Sequence, residues 1–188
     1  EYVCKKYGEI LGGRILDVGG DKCGLRPLLP EGTDYIGIGI GDGVDVELDF
    51  EKNKLPYRDN EFDCVLCLDV LEHLDNIHAV FDECCRVSCG YLIISLPNPW
   101  KDFIRMLRHG YYRGGTHPMK YYNLPPERPE DRHKWFFSPQ EAETFLSERG
   151  KKNNMEVVQI DYGRGGKAGK NILKRMVYRM FFHRDIDL

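Results

Sequence analysis

The sequence predicts an open, doubly wound α/β domain with a mostly parallel sheet and helices on both faces. Three observations support this fold class. Five short apolar runs are separated by turn residues, a helical apolar pattern lies between the last two runs, and a glycine turn follows the first. Strands that alternate with helices are typical of βαβ units. The length of 188 residues suits a single domain over residues 1–188.

The predicted strands occupy the first half of the chain. Each is rich in Ile, Leu and Val and is bounded by Gly, Pro, Asn or Asp. They cover residues 14–18, 34–40, 44–48, 62–68 and 91–96. Apolar residues at helical spacing from Ile77 to Cys85 predict a helix before the last of these strands, with Asp75 or Asn76 as its N-cap.

The regular pattern ends after the fifth strand. Lys101 to His109 predicts a short helix, and residues 110–132 are dense in Pro, Gly, Tyr and His. A long irregular segment inside a compact domain is usually functional. We therefore interpret residues 101–137 as a lid or substrate segment.

Three elements are predicted over residues 138–188. A helix begins at Ser138, which is followed by Pro139 in the first helical position. Residues 155–160 predict a sixth strand. Apolar residues at helical spacing between Ile172 and Phe181 predict a basic amphipathic helix at the end of the chain.

Composition excludes several classes of protein. The chain has 27 Lys and Arg against 30 Asp and Glu, so its net charge of −3 excludes general coating of nucleic acid. Its 41% hydrophobic and 30% charged residues are typical of a globular domain rather than a disordered chain. No stretch approaches the ~18 apolar residues of a membrane span. The first residues also lack the pattern of a secretory signal, and we expect a cytoplasmic protein.

The seven cysteines predict buried, reduced thiols rather than a disulfide framework, because their number is odd and the chain can build a core. Cys64 and Cys67 form a CxxC pattern inside the fourth predicted strand. Residues three apart on a strand project to opposite faces, so these thiols cannot close on one ion. We therefore predict no metal site.

The end of the first strand has the features of a nucleotide site. One residue separates Asp17 from Gly19 and Gly20, and glycine allows the backbone to approach a ligand closely. Asp49 follows the third strand, where a carboxylate can accept the exocyclic amino group of an adenine.

The order of these motifs resembles the class I S-adenosylmethionine-dependent methyltransferases, in particular the branch with an LDxG turn, a D…LPF.D.SFD segment and a DVLEH motif. The residues that carry the resemblance are Ile15–Gly19, Asp49, Leu55–Asp63, Asp69–His73 and Ile94–Asn98. It covers residues 13–100, and the segment His133–Ser138 is similar to a late segment of these enzymes. It implies a Rossmann-like fold, a cofactor-binding core over 13–100 and S-adenosylmethionine as cofactor.

The resemblance also implies a set of cofactor contacts at the carboxyl ends of the strands. Asp17, Gly19 and Gly20 would line the methionine and ribose, Asp49 with Phe50 the adenine, and Asp69 with Val70 the floor below the methyl group.

This chain departs from the family pattern in three places. Asp21 and Cys23 stand where the family has glycines, and Gly39 stands where an acid accepts the ribose hydroxyls. Asp42 is the predicted substitute for that acid. The seventh, antiparallel strand of the family has no place in this sequence, because the C-terminal spacing is helical.

Methyl transfer is an in-line displacement, so the protein mainly positions the reactants, and a base is needed only when the acceptor loses a proton. His73 and His133 are the predicted catalytic histidines. We expect a small or glycan-like acceptor that is methylated on oxygen or nitrogen. The substrate contacts predicted from the aromatic and cationic lid are Trp100, His117, Tyr121, Tyr122 and Trp135.

Three alternatives stay open at the level of sequence. Gly39 and Asp21 favour a degenerate methyltransferase fold that binds cofactor weakly or not at all and acts as a scaffold. Asn98-Pro99-Trp100 is superficially similar to a motif of nucleic-acid methyltransferases, although it follows the fifth strand rather than the fourth. The basic C-terminal helix predicts peripheral membrane contact through residues 170–184.

Overall fold

The computed structural model describes residues 2–110, 126–127, 132–162 and 178–183. Within these residues one sheet contains strands β1 (Arg14–Val18), β2 (Asp34–Gly39), β3 (Val46–Glu47), β4 (Phe62–Leu68), β5 (Ser88–Leu96), β6 (Glu156–Tyr162) and β7 (Tyr178–His183). Their spatial order is β3-β2-β1-β4-β5-β7-β6. Strands β1 to β5 are parallel, and β7 is antiparallel to both of its neighbours. The predicted α/β fold class is confirmed.

The described part of the chain has four α-helices: α1 (Tyr2–Tyr7), α2 (Ile77–Val87), α3 (Pro99–His109) and α4 (Pro139–Lys152). The last three were predicted, and α1 was not. Helix α4 begins as expected, because Ser138 and Glu141 form a reciprocal capping box and Pro139 occupies the first turn. At the start of α2 the side chain of Asn76 makes no capping hydrogen bond. The Glu51 carboxylate accepts hydrogen bonds from the backbone N–H groups of Asp75 and Asn76 instead.

Alternation along the strands divides the core into two layers. Leu16, Val65 and Leu92 belong to the layer that contains α2 and α4 residues, whereas Ile15 and Leu66 belong to the layer that contains α1 residues. Helices therefore cover both faces of the sheet, as predicted. The CxxC pair follows the same alternation, because Cys67 lies in the first layer and Cys64 in the second.

The prediction of a C-terminal helix is wrong over Tyr178–His183, which form β7. This strand pairs with Tyr91–Leu96 of β5 on one side and with β6 on the other. Without it, both neighbours would present unpaired backbone N–H and C=O groups to each other, so ladder formation overrides the local helical spacing. The seventh, antiparallel strand is thus present. Residues 163–177, which carry the rest of the predicted helix, lie outside the described residues.

Peripheral membrane contact through residues 170–184 was predicted from an amphipathic helix. Tyr178–His183 form strand β7 instead, so this part of the segment does not support the prediction. Among the residues that the structure describes, no helix combines the length and apolar character needed to cross a membrane.

Candidate active site

The first glycine after β1 is required by its conformation and by its neighbours. Gly19 has a φ of +79°, and a Cβ at this position would clash with a γ-methyl group of Val70. Its N–H donates to the Ile38 carbonyl at 2.7 Å, which holds the turn against the end of β2. At the adjacent ends of β1, β2 and β4, the turn at Gly19 therefore presents backbone without a side chain, as close approach of a ligand requires.

Asp17 is a buried carboxylate at this edge, only 5% exposed. The Tyr35 hydroxyl donates a hydrogen bond to its Oδ2 at 2.5 Å. Burial raises the pKa of Asp17 to about 6, although the hydrogen bond from Tyr35 acts in the opposite direction. Burial and the nearby Asp17 carboxylate also raise the pKa of the Tyr35 hydroxyl. A carboxyl group with a perturbed pKa beside a glycine turn is typical of a functional site.

The altered glycine turn has a structural explanation in Cys23. This residue and Lys22 both have positive φ values, and they form a short 3₁₀ turn over Asp21–Cys23. A Cβ at Gly37 would lie 2.5 Å from the Cys23 Sγ, so the thiol fills the space that a side chain at Gly37 would need. Asp45 fastens the same region by accepting a hydrogen bond from the Gly37 N–H at 2.7 Å.

At Gly39 there is room for a side chain. The closest atoms to a Cβ there would be Val44 Cγ1 at 3.5 Å and Gly19 Cα at 3.6 Å, which are ordinary van der Waals distances. Crowding therefore does not explain the missing acid. Asp42, the predicted substitute, is exposed between two glycines of positive φ. Glu47, which sequence reasoning missed, lies directly across from Gly39 in the parallel register of β3.

Asp49 stabilises its own turn. Its Oδ2 lies 2.6 Å from Lys52 Nζ, and its Oδ1 accepts a hydrogen bond from the Glu51 N–H. The hydrogen bond from Lys52 lowers the pKa of the Asp49 carboxyl. Phe50, also predicted to contact adenine, packs partly buried against the larger core layer. Their contacts with an adenine stay a prediction.

Asp69 directly follows β4 and has a left-handed conformation, with a φ of 56°. The Ser95 hydroxyl donates to its Oδ1 at 2.7 Å, and the Asp69 N–H donates to the Ser95 carbonyl. This pair of bonds locks the end of β4 to the end of β5. Val70 follows with 8% exposure and packs over Gly19, which places the two predicted contacts beside the first glycine turn.

The two predicted catalytic histidines meet beyond the end of β4. His73 closes the 3₁₀ turn Leu71–His73, and its ring lies edge-on to that of His133, with ring centres 4.5 Å apart. The carboxylate of Glu72 lies between them. Its Oε1 is 3.7 Å from His73 Nε2 and 3.9 Å from His133 Nε2. Sequence reasoning missed Glu72, although it belongs to the DVLEH motif.

Three contacts fasten His133 to this position through its neighbours. The Lys134 N–H donates to the Glu72 carbonyl at 2.7 Å. The Lys134 ammonium pairs with Asp75 at 2.6 Å, and the Trp135 indole N–H donates to the Leu74 carbonyl at 2.6 Å. The segment that carries His133 is therefore held along the whole turn that follows β4.

The two predicted substrate tryptophans have different surroundings. Trp100 is 41% exposed and forms an aromatic cluster with Phe103 and Phe136, at ring-centre distances of 5.2 to 6.0 Å. Trp135 is tied to the Leu74 carbonyl and lies edge-on to His78 of α2. His117, Tyr121 and Tyr122 lie outside the described residues.

A separate cleft of about 620 Å³ lies at the amino ends of the parallel strands. Its lining includes Arg14, the first residue of β1, together with Leu55, Tyr57 and Arg58. The site above lies at the carboxyl ends of the parallel strands, where such sheets bind their ligands, so this cleft is not part of it.

The strand order, the glycine turn and the carboxylates at the strand ends define a Rossmann-like domain of the methyltransferase type. A profile of the methyltransferase-domain family matches residues 4–158, and the chain belongs to this family. The family match supports an enzyme rather than a scaffold. No curated protein matches the sequence.

Solved structures of methyltransferases share the fold. A magnesium protoporphyrin IX methyltransferase of Synechocystis with bound S-adenosylhomocysteine is 14% identical with a TM-score of 0.61, over 98% of this chain and 80% of that one. A methyltransferase of Mesorhizobium loti is 12% identical with a TM-score of 0.59, over 93% of each chain. One of Aquifex aeolicus is 20% identical with a TM-score of 0.53, over 97% and 87%.

The residues present fit S-adenosylmethionine, the cofactor expected from the resemblance. The bare backbone at Gly19 admits the ligand, and the carboxylates of Asp17 and Asp69 lie at adjacent strand ends for its polar groups. The fit is incomplete at the ribose, because Gly39 offers no carboxylate.

Proposed function

We propose that this protein transfers the methyl group of S-adenosylmethionine to an oxygen or nitrogen of a small or glycan-like acceptor. The observation that carries the proposal is the contact between His73 and His133, whose ring centres are 4.5 Å apart, just beyond Asp69 and Val70, which follow β4. These histidines come from separate parts of the chain. Both predicted catalytic residues thus reach the edge of the sheet where the donor is expected.

The donor lies over the ends of β1, β2 and β4 in this proposal. Asp17 faces its methionine and ribose portion, the Gly19-Gly20 turn allows close approach, and Asp69 with Val70 forms the floor below the methyl group. Asp49 and Phe50 border the adenine. Asp42 or Glu47 replaces the ribose acid that is missing at Gly39, and substitution of each by its amide tests which one does so.

S-adenosylmethionine supplies an electrophilic methyl group on a sulfonium, which is a good leaving group. The protein therefore needs to position the acceptor, exclude water and handle a proton. His73 and His133 are placed to take up the proton that a hydroxyl or amine acceptor loses. Imidazole suits this task near neutral pH.

The acceptor wall in this proposal is the aromatic cluster of Trp100, Phe103 and Phe136. Phe136 is three residues beyond His133, so the wall and the imidazole pair share one segment. Aromatic faces with nearby cationic side chains suit a ring-bearing or sugar-like molecule. The Synechocystis relative by fold, a magnesium protoporphyrin methyltransferase, also acts on a small molecule.

Calorimetric titration with S-adenosylhomocysteine, followed by an acceptor screen, tests the proposal. We expect saturable binding, and methyl transfer from labelled donor to phenols, sugars or small amines rather than to RNA or DNA oligonucleotides. Absence of binding at millimolar ligand would overturn the donor site. Transfer only to oligonucleotides would establish the nucleic-acid alternative.

A further inference from the structure

We propose that Glu72, His73 and His133 form a binding site for one divalent transition-metal ion. One carboxylate oxygen and two imidazole nitrogens converge within 4.8 Å of one another. This set of donors, two His and one carboxylate, is a recognised protein ligand set for Zn²⁺ and for Fe²⁺. The prediction of no metal site considered only the cysteine pair, which lies elsewhere in the sheet.

The spacing of the donor atoms fits an ion between them. The separations of 3.7 and 3.9 Å between Glu72 Oε1 and the two Nε2 atoms exceed the length of a hydrogen bond. Two ligands at about 2.0 Å from a tetrahedral ion are about 3.3 Å apart. Each imidazole nitrogen would need to approach the Glu72 oxygen by only about 0.4 to 0.6 Å, and the separation between the two imidazole nitrogens is at most 4.8 Å.

Burial and charge favour a cation at the same point. Glu72 is 1% exposed and His133 is 8% exposed, so the carboxylate has little access to water. A buried carboxylate is costly unless it is paired with a cation or coordinates a metal.

The ligands are also held in place before any ion binds. The Lys134 N–H donates to the Glu72 carbonyl, so the backbone on either side of the cluster is joined directly. Lys134 and Trp135 extend this attachment to Asp75 and Leu74. Preorganised ligands are what a tight metal site requires. Three protein ligands leave at least one coordination position open, and the His73 side chain, 25% exposed, lies on the accessible side.

The open position gives the ion a role that rests on the proposed function. A hydroxyl oxygen of the acceptor bound there would lose its proton to water more readily, because a bound divalent cation lowers the pKa of an oxygen ligand. The resulting oxygen anion forms the new O–CH₃ bond while the S–CH₃ bond breaks and the sulfonium becomes a neutral thioether. In the metal-bound protein His73 and His133 would therefore act as ligands of the ion, and water would take up the proton in their place.

Cobalt(II) is the probe that tests the metal site, because its absorption spectrum distinguishes nitrogen and oxygen ligands from thiolates. The chelator-treated, reduced protein is titrated with Co²⁺ alone. We expect one equivalent to bind with ligand-field bands and without a thiolate charge-transfer band. Glu72→Gln, His73→Gln and His133→Gln should each weaken binding by ~100-fold or more, beyond the usual loss for an outer-sphere partner. His78→Gln, on the exposed face of α2, should bind like the wild type.

Three results would overturn the metal site: no Co²⁺ binding by the wild type, a thiolate charge-transfer band, or unchanged binding in both His73→Gln and His133→Gln. Calorimetry with S-adenosylhomocysteine on the same samples separates this outcome from failure of the proposed function. Retained S-adenosylhomocysteine binding without Co²⁺ binding rejects only the metal. Co²⁺ binding without S-adenosylhomocysteine binding rejects only the donor site. Retained S-adenosylhomocysteine binding in the Gln variants also shows that they fold.

Discussion

The Tyr35 hydroxyl donates a hydrogen bond to the carboxylate of Asp17, and both groups lie at the edge of the sheet where the methyl donor is expected. The hydrogen bond favours the charged carboxylate, but burial outweighs it and raises the pKa of Asp17 from 3.8 to about 6. An ionised carboxylate in this place destabilises the fold, so its presence favours a role in binding over a role in stability.

This relationship predicts a specific pH dependence of stability. The folded protein holds the Asp17 proton up to about pH 6, whereas the unfolded chain releases it near pH 3.8. The stabilising contribution of the protonated form is therefore complete below about pH 4 and is lost as the pH rises through 6. The loss is about 3 kcal/mol.

Urea unfolding from pH 4 to pH 7 measures this contribution as the difference between wild type and Asp17→Asn. We expect the free energy of unfolding of the wild type to fall relative to the variant across this range. A constant difference would show that Asp17 has an ordinary pKa. Because the donor carries an ammonium group, wild-type affinity for S-adenosylhomocysteine should also fall about tenfold from pH 7 to pH 5.

Gly39→Asp should strengthen cofactor binding. The structure has room for a side chain at this position, and a carboxylate there would accept hydrogen bonds from the ribose hydroxyls. Such charge-assisted bonds contribute about 1.5–3 kcal/mol, so the dissociation constant for S-adenosylhomocysteine should fall by about tenfold or more. Calorimetry checks this.

Gly39→Asn is the matched control, because it adds nearly the same volume without the charge. We expect a smaller gain in affinity from this variant. Equal affinities of Gly39→Asp, Gly39→Asn and wild type would mean that the ribose lies elsewhere or already has its acid, for which Asp42→Asn and Glu47→Gln are the next variants.

Replacement of His73 or His133 by Ala should lower the rate of methyl transfer to a hydroxyl acceptor by about 10²–10⁴. The affinity for S-adenosylhomocysteine should be nearly unchanged, because neither side chain is proposed to contact the donor. His78→Ala is the control for loss of a histidine outside the pair. If both variants of the pair retained wild-type turnover, positioning alone would account for the rate.

The two tryptophans should respond differently to substitution. Trp100→Ala removes part of the proposed acceptor wall and should raise the acceptor KM about tenfold, with little change in stability because Trp100 is 41% exposed. Trp135→Phe leaves the Leu74 carbonyl without its indole donor and should lower the free energy of unfolding by about 1 kcal/mol. Steady-state kinetics and urea unfolding of both variants test this contrast. The opposite assignment would place the acceptor beside α2.

The sequence by itself determined the strands of the parallel sheet, and it placed the candidate cofactor residues at the carboxyl ends of those strands. The predicted limits of β1 and β4 agree with the structure residue for residue, and Ser138 begins α4 as its capping pattern indicates. These features depend on local physics: short apolar runs, turn residues and a cap that bonds to its own helix. The glycine turn and the candidate carboxylates could be identified in the same way, because each lies at or just after the end of a predicted strand.

Only the tertiary structure decided what depends on distant partners. The segment Tyr178–His183 has helical spacing in sequence but forms β7, because the backbone edges of β5 and β6 pair with it from both sides. The sequence does not single out Glu72 within its motif. In the structure His133, 61 residues further along the chain, lies 3.9 Å from the Glu72 carboxylate. Strand pairing and side-chain convergence join residues far apart in the chain, and no local pattern encodes those distances.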